Sequence, residues 1–249
     1  MKPCLLIPIF DHGAAIGRVL DSLARFGLPC LVIDDGSAAE TRAALDAAEA
    51  RHAFVEVHHR KENGGRGAAL KTGYRRAAQR GFSHALQLDA DGQHDASDVP
   101  RFLACLERDP DSLVLGTPVF DASVPRSRLY GRQLSRLMVW LATLSFEVDD
   151  PLCGFRGLPI APVVELLDAV PTGDHMEFDP ELLIHLFWRG LRVQTLATRV
   201  VYDPKGLSHF DPLWDDLRLA GVYARALAAL PGRLPRRLGR RRGQRGSAR

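Results

Sequence analysis

The run Leu86-Gln87-Leu88-Asp89-Ala90-Asp91-Gly92-Gln93-His94 sets two carboxylates one residue apart at the end of a short apolar stretch. Along an extended chain alternate side chains share a face, so Asp89 and Asp91 point the same way where a strand gives way to a loop. Two like charges so placed repel, and a bound hard cation relieves the repulsion. Mg²⁺ takes one or two carboxylates and leaves its other positions to water and substrate phosphates. Gln93 extends the alternation with a neutral oxygen ligand. The competing reading is a solvated turn with Asp as a helix cap, and for an isolated D-x-D that is the more frequent outcome. Context has to decide between them.

The context is an alternation of strand-like and helix-like segments. Cys4 to Ile9, Cys30 to Asp34, Phe54 to His58, His84 to Asp89 and Ser112 to Gly116 are short apolar runs. Between them lie stretches of helical composition, Ala14 to Phe26, Glu40 to Arg51, Gly67 to Arg80 and Ser97 to Arg108. Apolar strands alternating with helices predict an α/β fold with a parallel sheet covered on both faces, and sites in such sheets form beyond the carboxyl ends of the strands. The polar clusters fall at those ends: Asp11-His12, Asp34-Asp35-Gly36-Ser37, Asn63-Gly64-Gly65-Arg66-Gly67 and Asp89-Ala90-Asp91. Any one of them is ordinary turn chemistry; four on one sheet edge predict a site. Glycines at 64, 65 and 67 suit close approach of a diphosphate to free N–H groups near a helix start, although Asn-Gly-Gly is also a common turn. Asp34 and Asp35 are candidates to accept hydrogen bonds from a ribose or base.

Beyond Gly116 the pattern changes. Residues 126 to 146 read as a long helix whose Tyr130, Leu134, Leu137, Met138, Leu141 and Leu144 recur at helical spacing, predicting a packing stripe. Arg128, Arg132 and Arg136 share another face, either as a solvated charged surface or as an anion site. Asp149 to Gly157 is turn-rich. A helix over about Asp179 to Arg189, a strand-like run from Leu191 to Tyr202 and a last amphipathic helix over Asp211 to Leu230 complete the pattern.

The 249 residues are 46% hydrophobic and 25% charged, the composition of a soluble globular protein with a sizeable core. The net charge of +3 conceals a division. Residues 232 to 249 hold eight Arg and no acid, which leaves 25 Lys and Arg against 30 Asp and Glu, a net −5, for the rest. An acidic body argues against nucleic acid as partner. The basic tail is either a solubilising end or a contact for an anionic membrane face. Cys4, Cys30, Cys105 and Cys153 lack C-x-x-C spacing and read as buried thiols of a reducing compartment. Neither a signal peptide nor an apolar stretch of membrane-spanning length is apparent, so a cytoplasmic protein, possible as a peripheral one, is expected.

Seven segments in order resemble those of the family 2 glycosyltransferases, most of all the branch of dolichyl- and polyprenyl-phosphate mannose or glucose synthases. Ile7-Pro8-Ile9-Phe10-Asp11 resembles the I-P-x-Y-N element and Val32-Ile33-Asp34-Asp35-Gly36-Ser37 the V-D-D-G-S element. Asn63 to Leu70 with Gly73 is similar to N-x-G-K-G-A-A, and Asp89 to His94 to D-A-D-x-Q-H. Cys153-Gly154-Phe155-Arg156, Phe178 to Leu183 and Gly206 to Phe210 are similar to the S-G-F-R, F-D-x-E-L and G-x-S-K-F elements. The resemblance implies a glycosyltransferase A-type fold, a Rossmann-like and mostly parallel central sheet flanked by helices, formed by residues 1–230 as one catalytic domain. Residues 1–117 would be its nucleotide-sugar half and 118–230 its acceptor half, with 231–249 a basic tail. It implies an inverting transfer from a UDP- or GDP-linked sugar with Mg²⁺ or Mn²⁺ held by Asp89, Asp91 and Gln93. Donor contacts would come from Pro8, Phe10, Asp11, Asp34, Asp35, Gly65, Lys71, Asp89, Ala90 and Asp91. The chain departs from the family at His12, Ala39 and His209, where Glu, Asp and Lys are usual.

Two acceptor classes have different needs. A hydroxyl on a lipid or secondary metabolite calls for a general base, for which Asp149 and Asp150 are candidates. A lipid phosphate is already anionic and calls for cations, for which Arg128, Arg132, Arg156 and His209 are candidates. The phosphate acceptor is the preferred expectation, with Asp91, Asp150 and Arg156 as the catalytic set. A sugar-nucleotide-binding protein without turnover is the remaining alternative.

Overall fold

The computed structural model describes residues 1–119, 126–200 and 211–231, with side chains for all of these except residues 126–128 and 212. Seven strands form one sheet: β1 (Pro3–Ile9), β2 (Cys30–Asp34), β3 (Val55–His59), β4 (His84–Gln87), β5 (Ser112–Val119), β6 (Arg156–Pro159) and β7 (Arg192–Arg199), in the order β3-β2-β1-β4-β6-β5-β7. β1 to β4 are mutually parallel and β5 pairs in parallel with β7, whereas β6 runs antiparallel to both β4 and β5. The sheet is therefore mostly parallel, with one reversed strand, β6, between β4 and β5.

The helices are α1 (Gly13–Ala24), α2 (Ala39–Arg51), α3 (Arg66–Gln79), α4 (Val99–Arg108), α5 (Arg126–Thr143), α6 (Ile160–Ala169), α7 (Phe178–Trp188) and α8 (Pro212–Ala229). The unbroken apolar character of β1 and β2 follows from burial on both faces. Leu5, Ile7 and Ile9 pack with Ile16, Leu20 and Phe102, while Cys4 and Leu6 pack with Leu70 and Tyr74. All four cysteines are free and buried.

After β3 the chain crosses back over β1 to form β4 on its other side, so the loops after β1 and β4 leave the sheet on either side of a switch in strand order. Such a switch opens a crevice at the carboxyl ends. Asp11 and His12 stand on one side of it, Asp89 and Asp91 on the other.

Three expectations need correction. The fourth strand stops at Gln87, not Asp89: Leu88 N–H still donates to Leu6 O at 3.0 Å, and Asp89 to Gly92 then turn away. β6 begins within the segment read as turn-rich, because Arg156-Gly157-Leu158-Pro159 carries little strand propensity and is extended by the two ladders it completes, and α6 follows where no element was expected. The proposed packing stripe of α5 faces outward: Tyr130, Leu134, Leu137, Leu141 and Leu144 are exposed, and only Met138 of that set packs on the core. The helix buries its small side instead, Ser135, Val139, Ala142 and Thr143.

Candidate active site

The first two polar loops are stitched together by their own side chains. Asp11 sits at φ 52°, its N–H donates to Ser37 Oγ at 2.9 Å, and its Oδ1 accepts from Ala38 N–H at 2.8 Å. Asp34 is fully buried at the end of β2, where Oδ1 accepts from Ser37 N–H at 2.9 Å and Oδ2 lies 2.8 Å from His59 Nδ1. Burial opposes its ionisation, but the bonds from Ser37 and His59 hold its carboxyl below the usual carboxylate range. Pro8 lies within β1 opposite Ile33, and the half-buried Phe10 follows the strand, with its carbonyl accepting from His12 Nδ1–H at 2.7 Å.

Asp35 ties β2 to the glycine loop. It pairs with Arg60 and accepts from Gly64 N–H at 3.2 Å and Gly65 N–H at 2.7 Å. Gly65 stands at φ 96°, and a side chain there would meet Asp174 O and His175 Nδ1 at 2.5 Å. Ala68 N–H donates to Asp174 O at 2.9 Å. Of the N–H groups expected to face a diphosphate, those of Gly64 and Gly65 are taken by Asp35 and that of Ala68 by Asp174 O, so Gly65 serves close packing. Lys71 is tied to the same segment, with Nζ 2.5 Å from Thr172 O and 3.0 Å from Asp174 Oδ1.

The fourth loop holds the carboxylate pair. Asp89 Oδ1 is 2.6 Å from Arg66 Nη1, and Oδ2 is 3.2 Å from His94 Nε2. Burial opposes ionisation, yet the Arg66 charge and the His94 contact hold Asp89 well below the carboxylate range. Asp91 differs. Its carboxylate accepts from Gln93 N–H at 3.0 Å, and burial, followed by the charge of Asp89, raises it above the ordinary value. His94 and His12 only partly offset this. One carboxylate of the pair is neutralised by the protein and the other is not.

Gly154 explains how the loop is covered. A Cβ at that position would lie 2.1 Å from Asp89 Oδ2, so the Cys153-Gly154-Phe155-Arg156 segment passes directly against the carboxylate. Phe155 also stacks on Phe102 at 4.0 Å and meets the His94 ring at 5.6 Å.

Behind the pair lies a buried network whose centre sequence reasoning missed. Arg66 reaches Asp179 Oδ2 with Nε at 2.7 Å, Gln87 Nε2 donates to Asp179 Oδ1 at 3.1 Å, and Tyr74 O–H donates to Gln87 Oε1 at 2.9 Å. Burial works against the Asp179 charge, but Arg156 and Arg66 keep its carboxyl low. Arg66 and Asp179 both fall within motifs quoted above; their partnership spans 113 positions and no local pattern signals it.

The acceptor candidates fare unevenly. Arg156 is 1% exposed and donates to Cys153 O, Asp179 O and Pro151 O at 2.6, 3.0 and 2.5 Å, so it orders the Pro151–Arg156 segment and presents no open face to an acceptor. Arg132 pairs with Asp150, whose Oδ1 also accepts from Leu152 N–H at 2.8 Å. The Arg128 side chain and the whole of His209 lie outside the described residues, as does the basic tail.

No group of three or more His, Cys, Asp or Glu side chains forms a self-sufficient metal cage among the described residues. The donor set nevertheless fits a hard cation shared with a ligand. It offers carboxylate oxygens and an amide, the chemistry that suits Mg²⁺ and Mn²⁺, and it leaves Asp91 with uncompensated charge.

Residues 4–155 match the family described as Glycosyl transferase family 2. The chain belongs to that family. As a family 2 glycosyltransferase it is 30% identical over 167 residues to the undecaprenyl-phosphate mannosyltransferase of Micrococcus luteus, covering 63% of this chain and 65% of that enzyme. It is 38% identical over 121 residues to the polyprenol monophosphomannose synthase of Mycolicibacterium smegmatis, covering 47% of this chain and 44% of that one. The chain thus matches just under two thirds of the first enzyme's length and under half of the second's. Among solved structures it resembles the glucosyl-3-phosphoglycerate synthase of Mycobacterium tuberculosis crystallised with Mn²⁺ and UDP-glucose, with a TM-score of 0.65 and 21% identity, covering 93% of this chain and 78% of that one. That likeness places this family 2 glycosyltransferase in the glycosyltransferase A-type fold.

Proposed function

We propose that this glycosyltransferase moves a sugar from a UDP- or GDP-linked donor to a polyprenyl-phosphate-like lipid, with inversion and with Mg²⁺ or Mn²⁺ at Asp89, Asp91 and Gln93. The observation that carries the proposal is the asymmetry of the pair: Asp89 is ion-paired with Arg66 and lies against His94, whereas the partly buried Asp91 beside the β1/β4 switch is pushed up by burial and by the charge of Asp89. The names of the two mannosyl-transferring relatives and the Mn²⁺ and UDP-glucose of the mycobacterial structure support it.

In this reading residues 1–117 bind the donor. Pro8, Phe10, Asp11 and Asp35 form one wall, and the Asp34 and Gly65 interactions hold that wall in shape. Asp89 and Asp91, with Ala90 between them, face the donor diphosphate. The bound cation supplies Lewis-acid and electrostatic stabilisation of the leaving nucleoside diphosphate. Arg66 and His94 fix the Asp89 carboxylate so that it need not reorganise when donor arrives. Lys71 braces α3 against the 172–174 segment.

Residues 118–230 take the acceptor. A hydroxyl acceptor needs a general base with an oxygen turned toward it, and both oxygens of Asp150 are already engaged by Arg132 and Leu152 N–H. Asp149 is left as the base that a hydroxyl acceptor would use, whereas a lipid phosphate attacks as an anion and needs none. Arg128 and His209 are the proposed contacts for it, with Arg132 held by Asp150. The Arg-rich segment 233–249 would add attraction to an anionic cytoplasmic leaflet at about 1 kcal/mol per residue close to the surface.

Product analysis tests the acceptor. With labelled UDP- or GDP-sugars and a polyprenyl phosphate, the expected product is a lipid whose sugar is released by mild acid, as a sugar on phosphate is. Label that stays on the lipid through mild acid would assign a hydroxyl acceptor instead.

A further inference from the structure

His59 ends β3 with a carboxylate on each ring nitrogen: Nδ1 lies 2.8 Å from Asp34 Oδ2 and Nε2 lies 3.0 Å from Asp46 Oδ1. A carboxylate only accepts, so both nitrogens must donate, and only the imidazolium carries two N–H groups. Burial opposes the charge, but the two carboxylates hold the ring above its ordinary value of 6.5. Its side chain is 29% exposed, so the ring exchanges protons with solvent.

The two carboxylates lead to the same place. Asp34, fully buried, turns its other oxygen to Ser37 N–H at 2.9 Å; Ser37 Oγ accepts from Asp11 N–H at 2.9 Å, and Asp11 Oδ1 accepts from Ala38 N–H at 2.8 Å. Asp46 belongs to α2, whose N-cap is that same Ala38. The ring therefore holds the Ser37 and Asp11 wall through Asp34, and through Asp46 it holds the helix that continues the wall. Asp11 depends on such support, because a φ of 52° is sparsely allowed for a residue with a side chain.

The other charges around the ring are already engaged. Arg42 of α2 is the other cation on Asp34, with Nε 3.3 Å from Oδ2, and its Nη2 donates to Arg60 O at 2.9 Å. Glu49, nearly a turn beyond Asp46, accepts from Val57 N–H at 2.8 Å. On β3 His58 precedes the ring, and Arg60 after it pairs with Asp35. When the ring loses its proton, one N–H remains for two acceptors. One contact becomes a lone pair facing a carboxylate, and the other loses the charge that about doubles its strength.

We infer that His59, as an imidazolium shared by Asp34 and Asp46, is a positioning residue for donor binding: its charge holds the Ser37 and Asp11 wall, and a nucleoside diphosphate binds less tightly once the ring is neutral. The inference rests on the reading of that wall as part of the donor site.

The test is calorimetric titration of the full chain with UDP and with GDP in the presence of Mn²⁺, from about pH 5.5 to about pH 8.5. Wild type is compared with His59→Gln, Asp46→Asn and Asp11→Ala. Ionisation of the nucleotide is common to all four, so ratios of affinity between proteins isolate the ring. Wild type is expected to bind the preferred nucleotide about five- to tenfold more tightly than His59→Gln at the acid end, the ratio falling toward one as pH rises past 6.5. Asp46→Asn, altered at an exposed carboxylate, should lose affinity at lower pH than wild type does. A His59→Gln ratio constant with pH would overturn the inference, since a merely structural histidine weakens binding equally throughout. If His59→Gln does not fold, an Asp46→Asn profile that coincides with wild type overturns it instead. Equal affinity of Asp11→Ala and wild type would remove Asp11 from the donor site, and the inference with it. Weaker binding by Asp11→Ala beside a constant His59→Gln ratio would leave the wall standing and remove only the role of His59.

Discussion

The guanidinium of Arg66 lies 2.6 Å from Asp89 Oδ1 and holds Asp179 with its Nε at 2.7 Å. One side chain from the start of α3 thereby joins the carboxylate loop after β4 to the first turn of α7, elements that belong to different halves of the chain. Removing it leaves two partly or wholly buried carboxylates without their cation. Arg66→Met is expected to lower the free energy of unfolding by about 3–5 kcal/mol, read from urea denaturation. Arg66→Lys keeps the charge but lacks the planar fork that serves two carboxylates, and is expected to recover only part of the loss.

Gly154 is the second point of sensitivity. Gly154→Ala drives a methyl into the Asp89 carboxylate, and the strain is expected to cost about 1–3 kcal/mol. If Asp89 holds the donor's cation as proposed, nucleotide-sugar affinity should fall by more than the loss of stability accounts for. Calorimetric titration beside a thermal melt checks both, and unchanged donor affinity would contradict the placement.

The Asp34–His59 contact predicts a pH signature. His59 gains Asp34 and Asp46 as partners, and although burial opposes it, these raise it above its ordinary 6.5. Its contribution is complete below 6.5 and is lost as pH rises through the higher folded value. Asp34, lowered from 3.8, contributes above 3.8 and loses that contribution as pH falls through the lower folded value. Melting temperature should therefore decline as pH rises past neutrality, and His59→Gln should flatten that decline.

Tyr74→Phe isolates the innermost link of the network. It removes the donor to Gln87 Oε1 in a fully buried setting and is expected to destabilise by about 1–3 kcal/mol without altering substrate specificity. Denaturation curves and a donor panel on the same preparation measure the two effects.

How much of this was legible in the sequence depends on how local each cause is. β1 and β2 announce themselves because burial on both faces leaves unbroken apolar runs ending in Asp11 and Asp34-Asp35. The end of β4 was set two residues late, since Leu88 continues the apolar run although its ladder ends at Leu6. β6 was unreadable because Gly157 and Pro159 disfavour strands and only the flanking β4 and β5 impose one. Periodicity located α5 and its stripe but carries no information on which side meets the core, and there the small residues Val139 and Ala142 win. The carboxylate pair was found from spacing, whereas Arg66 and Gly154, which shape it, act through contacts distant in sequence.

The central claim is that Asp91 is the carboxylate left unbalanced for a cation that grips the donor diphosphate. It is tested most directly by the thermal shift produced by UDP- and GDP-sugars with and without Mn²⁺, compared between wild type and Asp91→Asn. Without ligand the variant should melt at or above the wild-type temperature, because it removes a partly buried charge that Asp89 repels. With Mn²⁺ and the matching sugar nucleotide, wild type should gain stability according to affinity and concentration, while Asp91→Asn should gain little. An equal Mn²⁺-dependent gain in the folded variant would contradict the account.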